Sequence, residues 1–298
     1  MAKYDAREIR ALYERGENIV SWIQAREHSG AISTTGILYS YDVQAGSYIA
    51  ELETPGAREL KNNLGRQLGA RLQELRPGSI LEAGVGEGTS LAAILNHMQA
   101  PPARIFGFDL SLSRLLFARR YLADEGWPNV ELFTGDLERI PLASGSVDVV
   151  VTIHAVEPNR GREQVILSEL LRVARRHLVV IEPSYEMASP DARARMDRLG
   201  YVRGLPETLR RMGCPARSVE RWPHNSNPLN EAALIVVEKS AGHPELEPRF
   251  ISPVSGGQLI QRSDCWFCPE DGHAFPILAG IPCLTLDNAV LASKLDAF

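Results

Sequence analysis

The chain has 298 residues, 44 % apolar and 23 % charged, with 32 basic residues against 37 acidic ones and a formal net charge of −5. This is ordinary globular composition, enough for one large domain or two smaller ones, and the acidic balance argues against a broad phosphate-binding surface and so against nucleic acid as a partner. No apolar run approaches the roughly 18 residues of a membrane span, and the mixed charges of the first eight residues do not read as a signal peptide, so a soluble cytoplasmic protein with no membrane partner is expected.

Between Asp5 and Arg26 the apolar residues Ile9, Leu12, Tyr13, Ile19, Val20 and Ile23 recur at near-helical spacing, interrupted at Gly16, which predicts a helix pair acting as a lid or flank. Residues 36–48 then gather Tyr39, Tyr41, Gln44 and Tyr48 among small residues, a composition unusual for a plain linker. Glu59 to Leu75 is helical in pattern and stops at Pro77-Gly78. From there β-branched runs alternate with helical stretches. Strands are predicted at 79–83, 104–109, 130–134, 147–152, 177–182, 218–222 and 232–238, and helices at 89–98, 111–124, 162–175, 191–200 and 206–212. Such alternation predicts an α/β fold with a doubly wound, mostly parallel sheet of seven strands. The link between the last two strands is too short for a crossover helix, so they are expected to form an antiparallel hairpin at one edge. Residues 241–248, rich in proline and acid, read as a linker to a small module of about fifty residues. The expected organisation is a helical flank over 1–70, a ligand-binding domain over 71–240 and the module over 249–298.

The chemistry concentrates where strands end, because ligands of open parallel sheets sit at the carboxyl ends of the strands. Glu82-Ala83-Gly84-Val85-Gly86-Glu87-Gly88 follows the first strand; glycines so spaced let the strand turn sharply into a helix and bring bare backbone against a ligand. Asp109-Leu110 ends the second strand, where a carboxylate accepts both hydroxyls of a ribose. Gly135-Asp136-Leu137 follows the third, with an acid for an adenine amino group and an apolar side chain for its ring. The fourth runs into His154 and Glu157, the place for a substrate-facing base. Tyr185 lies past the fifth, and the hairpin turn carries His224, Asn225 and Asn227, polar groups beside the expected mouth. Neither a Gly-Lys-Ser/Thr phosphate loop nor a His-Glu-x-x-His metal helix occurs.

With these motifs in place, residues 79–240 resemble the class I S-adenosylmethionine-dependent methyltransferases. The family's acid two residues before Gly-x-Gly-x-Gly is matched by Glu82 with Gly84, Gly86 and Gly88, its ribose-binding acid by Asp109 and its adenine-contacting acid by Asp136. The resemblance implies a Rossmann-like methyltransferase fold with an antiparallel last strand. It also implies S-adenosylmethionine as cofactor, held by Glu82, Gly84, Val85, Gly86, Gly88, Asp109, Leu110, Gly135, Asp136, Leu137 and His154. His154, Glu157 and His224 are the catalytic candidates. Tyr39, Tyr41, Gln44 and Tyr48, placed like the segment that closes over the cofactor in relatives, join Tyr185, Asn225 and Asn227 as substrate candidates. The strand-four segment lacks the Asn-Pro-Pro-Tyr type sequence of many nucleic-acid amino methylases, which favours a small polar acceptor methylated on oxygen or nitrogen. RNA or protein methylation, and a non-catalytic partner or activator keeping the cofactor fold, are the competing readings.

Residues 251–285 resemble a second family, short zinc-ribbon-like proteins that occur alone or fused to methyltransferases. Their two Cys-x-x-Cys knuckles supply four ligands; here Ser252 and Ser255 replace the first pair, and Cys268 and Asp271 stand at the second. Serine hydroxyls are poor zinc ligands, so no bound metal is expected and the ribbon is read as a packed shape built on Phe275-Pro276-Ile277 and Ile281-Pro282. It is expected to dock on the catalytic domain, a second subunit or a protein partner. Three of the four cysteines lie beyond residue 264, no disulfide framework, and reduced thiols are expected.

Overall fold

The computed structural model describes residues 4–27, 32–239 and 247–297; most of the expected linker, at 241–246, lies outside them. Helix α1 (Ala6–Glu14) begins where the Asp5 carboxylate accepts the Arg7 amide at 2.8 Å, and Gly16 interrupts the run before α2 (Ile19–Glu27). The tyrosine-rich segment folds as α3 (Thr34–Asp42), capped by Ser33, and the short α4 (Ser47–Glu51). Ile9, Leu12, Ile19, Ile23 and Ile37 make a small core of their own. Helix α5 (Ala57–Glu74) then leads to the sheet, burying Leu64, Leu68 and Leu72.

The sheet contains β1 (Ser79–Ala83), β2 (Arg104–Asp109), β3 (Glu131–Thr134), β4 (Val147–Ile153), β5 (Ala174–Pro183), β6 (Ser218–Trp222) and β7 (Ala232–Glu238). Between them run α6 (Thr89–Asn96), α7 (Leu112–Asp124), α8 (Glu163–Val173), α9 (Pro190–Leu199) and α10 (Leu205–Arg211). Strand order is β3-β2-β1-β4-β5-β7-β6. The first five strands are parallel, and β7 runs antiparallel to both β5 and β6, as the short hairpin requires. All seven residues of β4 are buried, the near-continuous apolar pattern of a strand covered on both faces. Neighbours alternate between the layers: Leu81 joins the core under α8, and Ile80 joins the one under α5, α6 and α7. Strand β5 starts three residues earlier than the sequence predicts and α8 ends two earlier. Lys239 Nζ covers this end, donating to the carbonyls of Leu171 at 2.7 Å and Ala174 at 2.6 Å; the first is one of the carbonyls that a helix ending at Val173 leaves without an intrahelical partner.

The C-terminal segment forms β8 (Ile260–Gln261), β9 (Cys265–Cys268), β10 (His273–Leu278), β11 (Ile281–Pro282) and β12 (Val290–Leu291). It packs on its own chain. Phe250, Leu259, Cys268, Phe275 and Leu284 share one core with Phe108, Phe133 and Leu142, and the Leu284 amide donates to the Thr134 carbonyl at 3.2 Å. Ser252, Ser255, Cys268 and Asp271 lie together. Ser252 and Ser255 each donate a hydroxyl to Asp271 at 2.6 Å, and Ser255 Oγ lies 3.9 Å from Cys268 Sγ. Of the expected module core, Phe275 and Ile281 are fully buried, whereas Pro276, Ile277 and Pro282 are only partly so. The four cysteines are all free.

Candidate active site

At the carboxyl ends of β1 to β4, under α3, α4 and the start of α5, lies a cavity of about 560 Å³, within the range of small-molecule sites. Fifteen of the residues singled out from the sequence line it: Tyr41, Tyr48, Glu82, Gly84, Val85, Gly86, Asp109, Leu110, Gly135, Asp136, Leu137, His154, Glu157, His224 and Asn225.

The glycine turn shows why it must be glycine at Gly84 and Gly86. Both hold positive φ, 76° and 54°, and a Cβ on Gly86 would meet Arg114 Nη1 at 3.3 Å. Asp109 accepts the amides of Gly86 at 3.0 Å and Ser111 at 2.9 Å. Each of its oxygens keeps a lone pair for a ligand hydroxyl. Burial raises its pKa against the pull of Arg114 and those two amides. Asp136 turns one oxygen to the Glu138 amide at 2.9 Å, and burial raises its pKa as well.

At the other end, His154 sits at φ 55°, a strained conformation for a side-chain-bearing residue. Three amides hold the turn there: Ala155 and Val156 donate to Glu182 Oε1 at 2.9 Å each, and Glu157 donates to Oε2 at 3.0 Å. His154 Nδ1 lies 3.1 Å from Glu157 Oε2. Burial disfavours the imidazolium, but the hydrogen bond to Glu157 and the charges of Glu157 and Glu182 outweigh it and raise the His154 pKa. His154, Glu157 and Glu182 bring ligand atoms within 4.8 Å of one another. Glu182 takes two of the loop amides on Oε1 and the third on Oε2, so its carboxylate staples the loop. His224 stacks edge-on against Trp222 at 5.3 Å, and burial lowers its pKa, favouring the neutral ring.

Five residues singled out from the sequence fall outside the cavity. Gly88 starts α6 and faces Leu122, where a Cβ would come within 3.0 Å; its place is in helix packing. Tyr39 packs edge-on against Tyr4, Gln44 donates to the Ser40 carbonyl, and Asn227 accepts the Leu229 amide in its own turn. Tyr185 lies under the guanidinium of Arg203 and bonds to Asp197. Other residues enter that the sequence reading did not mark. Lys61 of α5 donates to Ser90 Oγ at 3.0 Å beside Glu82. Glu87 accepts the amides of Gly46 and Ile49, fastening α4 to the glycine turn. Arg114 is buried near Asp109, and Asn230 contacts Glu157.

The walls are built for a polar ligand. Glu82 Oε2 and Asn225 Oδ1 are buried without a hydrogen-bond partner, a state that proteins avoid unless something else satisfies the group, and buried Arg114 has Glu87 Oε1 3.6 Å from its Nη2. Together with the bare backbone at Gly84–Gly86 and the paired acids Asp109 and Asp136, they fit a ligand with an adenosine end and a cationic amino-acid end.

Residues 80–179 match the methyltransferase domain family. A curated relative, an uncharacterized 37.1 kDa protein of transposon Tn4556 from Streptomyces fradiae, is 29 % identical over 206 residues, covering 67 % of this chain and 56 % of that protein. The chain thus spans little more than half the length of that relative. Among solved structures, a proposed O-methyltransferase from Nostoc punctiforme superposes with a TM-score of 0.54 at 15 % identity, over 77 % of this chain and 72 % of that one. A proposed sarcosine dimethylglycine methyltransferase from Galdieria sulphuraria does so with a TM-score of 0.51 at 13 % identity, over 62 % and 88 %. These likenesses show the Rossmann-like fold. Sheet order, glycine turn and paired acids agree with the family match over residues 80–179.

Proposed function

We propose that the protein transfers the methyl group of S-adenosylmethionine to a hydroxyl oxygen of a small polar acceptor. One observation carries the reading: the His154–Glu157 pair opens onto the same cavity as the glycine turn and Asp109. The bound cofactor supplies an electrophilic methyl group on a sulfonium. What remains for the protein is to hold the acceptor in line and to remove its proton. Glu157 accepts the Nδ1 hydrogen of His154, which leaves Nε2 as the base and Glu157 to stabilise the imidazolium once it forms. An amine already carrying a lone pair needs no such base, and for that reason the pair favours oxygen. His224, Asn225 and Asn230 supply a neutral polar wall for the acceptor. The C-terminal module, on this reading, is a ribbon in which the Asp271 carboxylate takes the place of an ion, and it docks on its own chain.

The test is a panel of hydroxyl and amine acceptors with S-adenosylhomocysteine formation as readout. His154→Ala is expected to lower kcat about 100-fold or more while calorimetric S-adenosylmethionine binding is kept. Full turnover by that variant, or transfer to amines alone, overturns the assignment to oxygen.

A further inference from the structure

The Nδ1 atom of His154 faces two groups of opposite character. Glu157 Oε2 lies 3.1 Å away and can only accept while it is ionised; the Asn230 amide nitrogen lies 3.3 Å away and can only donate. A bare Nδ1 would accept from Asn230 but set its lone pair against the carboxylate. A protonated Nδ1 donates to Glu157, and the Asn230 amide then donates to the same carboxylate, 3.2 Å away. The second arrangement satisfies all three groups, provided that the Asn230 amide is not turned over.

Arg195 of α9 settles that orientation. Its Nη1 donates to Asn230 Oδ1 at 3.0 Å, and a guanidinium has no acceptor, so the amide oxygen must face Arg195 and the amide nitrogen must face Glu157. Nη2 of the same guanidinium lies 3.5 Å from the Tyr201 hydroxyl. The other charged neighbours of the ring are Glu182 at the end of β5 and Lys61 of α5. Neither is a hydrogen-bond partner of Nδ1.

We propose that Arg195 and Asn230 are positioning residues that fix the tautomer of His154, through Glu157, with the proton on Nδ1 and the free base at Nε2. The relay runs from α9 to the hairpin turn to the loop after β4, three segments far apart in sequence, and its catalytic meaning rests on the hydroxyl-transfer reading above.

The test uses the full chain labelled with ¹⁵N-histidine, the His154 signals being assigned by difference against His154→Gln. In the parent protein near pH 8.5 the shifts should show Nδ1 protonated and Nε2 bare. Asn230→Asp, close in shape, places a second carboxylate on the pair and should raise the His154 titration midpoint by about one unit, carrying the alkaline rise of kcat with it. Arg195→Met should mix the tautomers and lower kcat about ten- to a hundred-fold with KM for the cofactor unchanged, and Arg195→Lys should restore part of the loss. An unchanged tautomer in Arg195→Met together with an unchanged midpoint in Asn230→Asp overturns the relay. Because the shifts are read without turnover, a relay that responds in a protein lacking hydroxyl transfer overturns the functional reading alone.

Discussion

Gly84 and Ala155 pack so closely that a Cβ on the glycine would lie 2.2 Å from the Cβ of the alanine. The glycine turn and the loop that carries His154 are therefore one packed unit. Gly84→Ala should cost about 1–2 kcal/mol for its left-handed backbone and about 1–3 kcal/mol for the clash. It should weaken cofactor binding and displace His154 together. Urea denaturation separates the two costs: Ala155→Gly in the same chain is expected to return the part due to the clash and not the part due to backbone.

On the proposed function, Glu82 links cofactor binding to pH. Burial pushes its pKa up to about 8, against the pull of Lys61, so near neutrality it carries a proton that an unfolded chain would have lost. A raised carboxyl pKa gives a stability contribution that is full below about 4.5 and is lost as pH rises through 8. A cationic ligand end placed against the unpartnered Oε2 reverses the preference and drives the proton off. Calorimetry in buffers of different ionisation heat is expected to show release of close to one proton per S-adenosylmethionine at pH 7. Glu82→Gln should abolish the release.

The C-terminal module is bound to the sheet through aromatic contacts. Phe250 sets its ring 5.0 Å from Phe133 and 4.8 Å from Trp266, edge-on to both. Phe250→Ala should lower the stability of the whole chain by about 3–5 kcal/mol, in one cooperative transition by both far-ultraviolet and tryptophan signals. Two separate transitions would mean that the module folds independently of the sheet.

Within the module, Asp271 gathers the Ser252 and Ser255 hydroxyls and the His273 amide by hydrogen bonding. Burial alone would raise its pKa, but the Ser252 and Ser255 hydroxyls and the His273 amide outweigh that and hold it at about 2. The stabilisation is present above pH 4 and fades as the pH falls through 2, and it amounts to about 2 kcal/mol. Asp271→Ala should cost about that much at pH 7 by chemical denaturation and little at pH 2. A chelator should leave the melting temperature of the parent protein unchanged.

What the sequence makes legible is what lies close together along it. Strand boundaries, the glycine turn, Asp109, Asp136 and the His154–Glu157 pair are local patterns at strand ends, and their places follow from the parallel sheet. The tyrosine-rich segment is a harder case. Read as one stretch, it marks four residues, but as a helix it turns Tyr41 to the cavity and Tyr39 to Tyr4, because neighbours on a helix face different ways. Lys61, Arg114 and Asn230 are invisible in one dimension. Asn230 meets Glu157 across 73 positions, and nothing local to either residue announces the other.

The seven-stranded sheet has two edges, β3 and β6, and open edges invite pairing with other chains. The chain guards them differently. On β6, Glu220 and Arg221 are exposed and tied to Arg71 and Glu231, charges that an incoming strand would have to displace. On β3, the guard is the stretch after β11, where Cys283 pairs with Thr134 in parallel and Leu284 donates to the Thr134 carbonyl. The C-terminal module is therefore also a protective end piece, which keeps the seven-stranded sheet from growing into its neighbour.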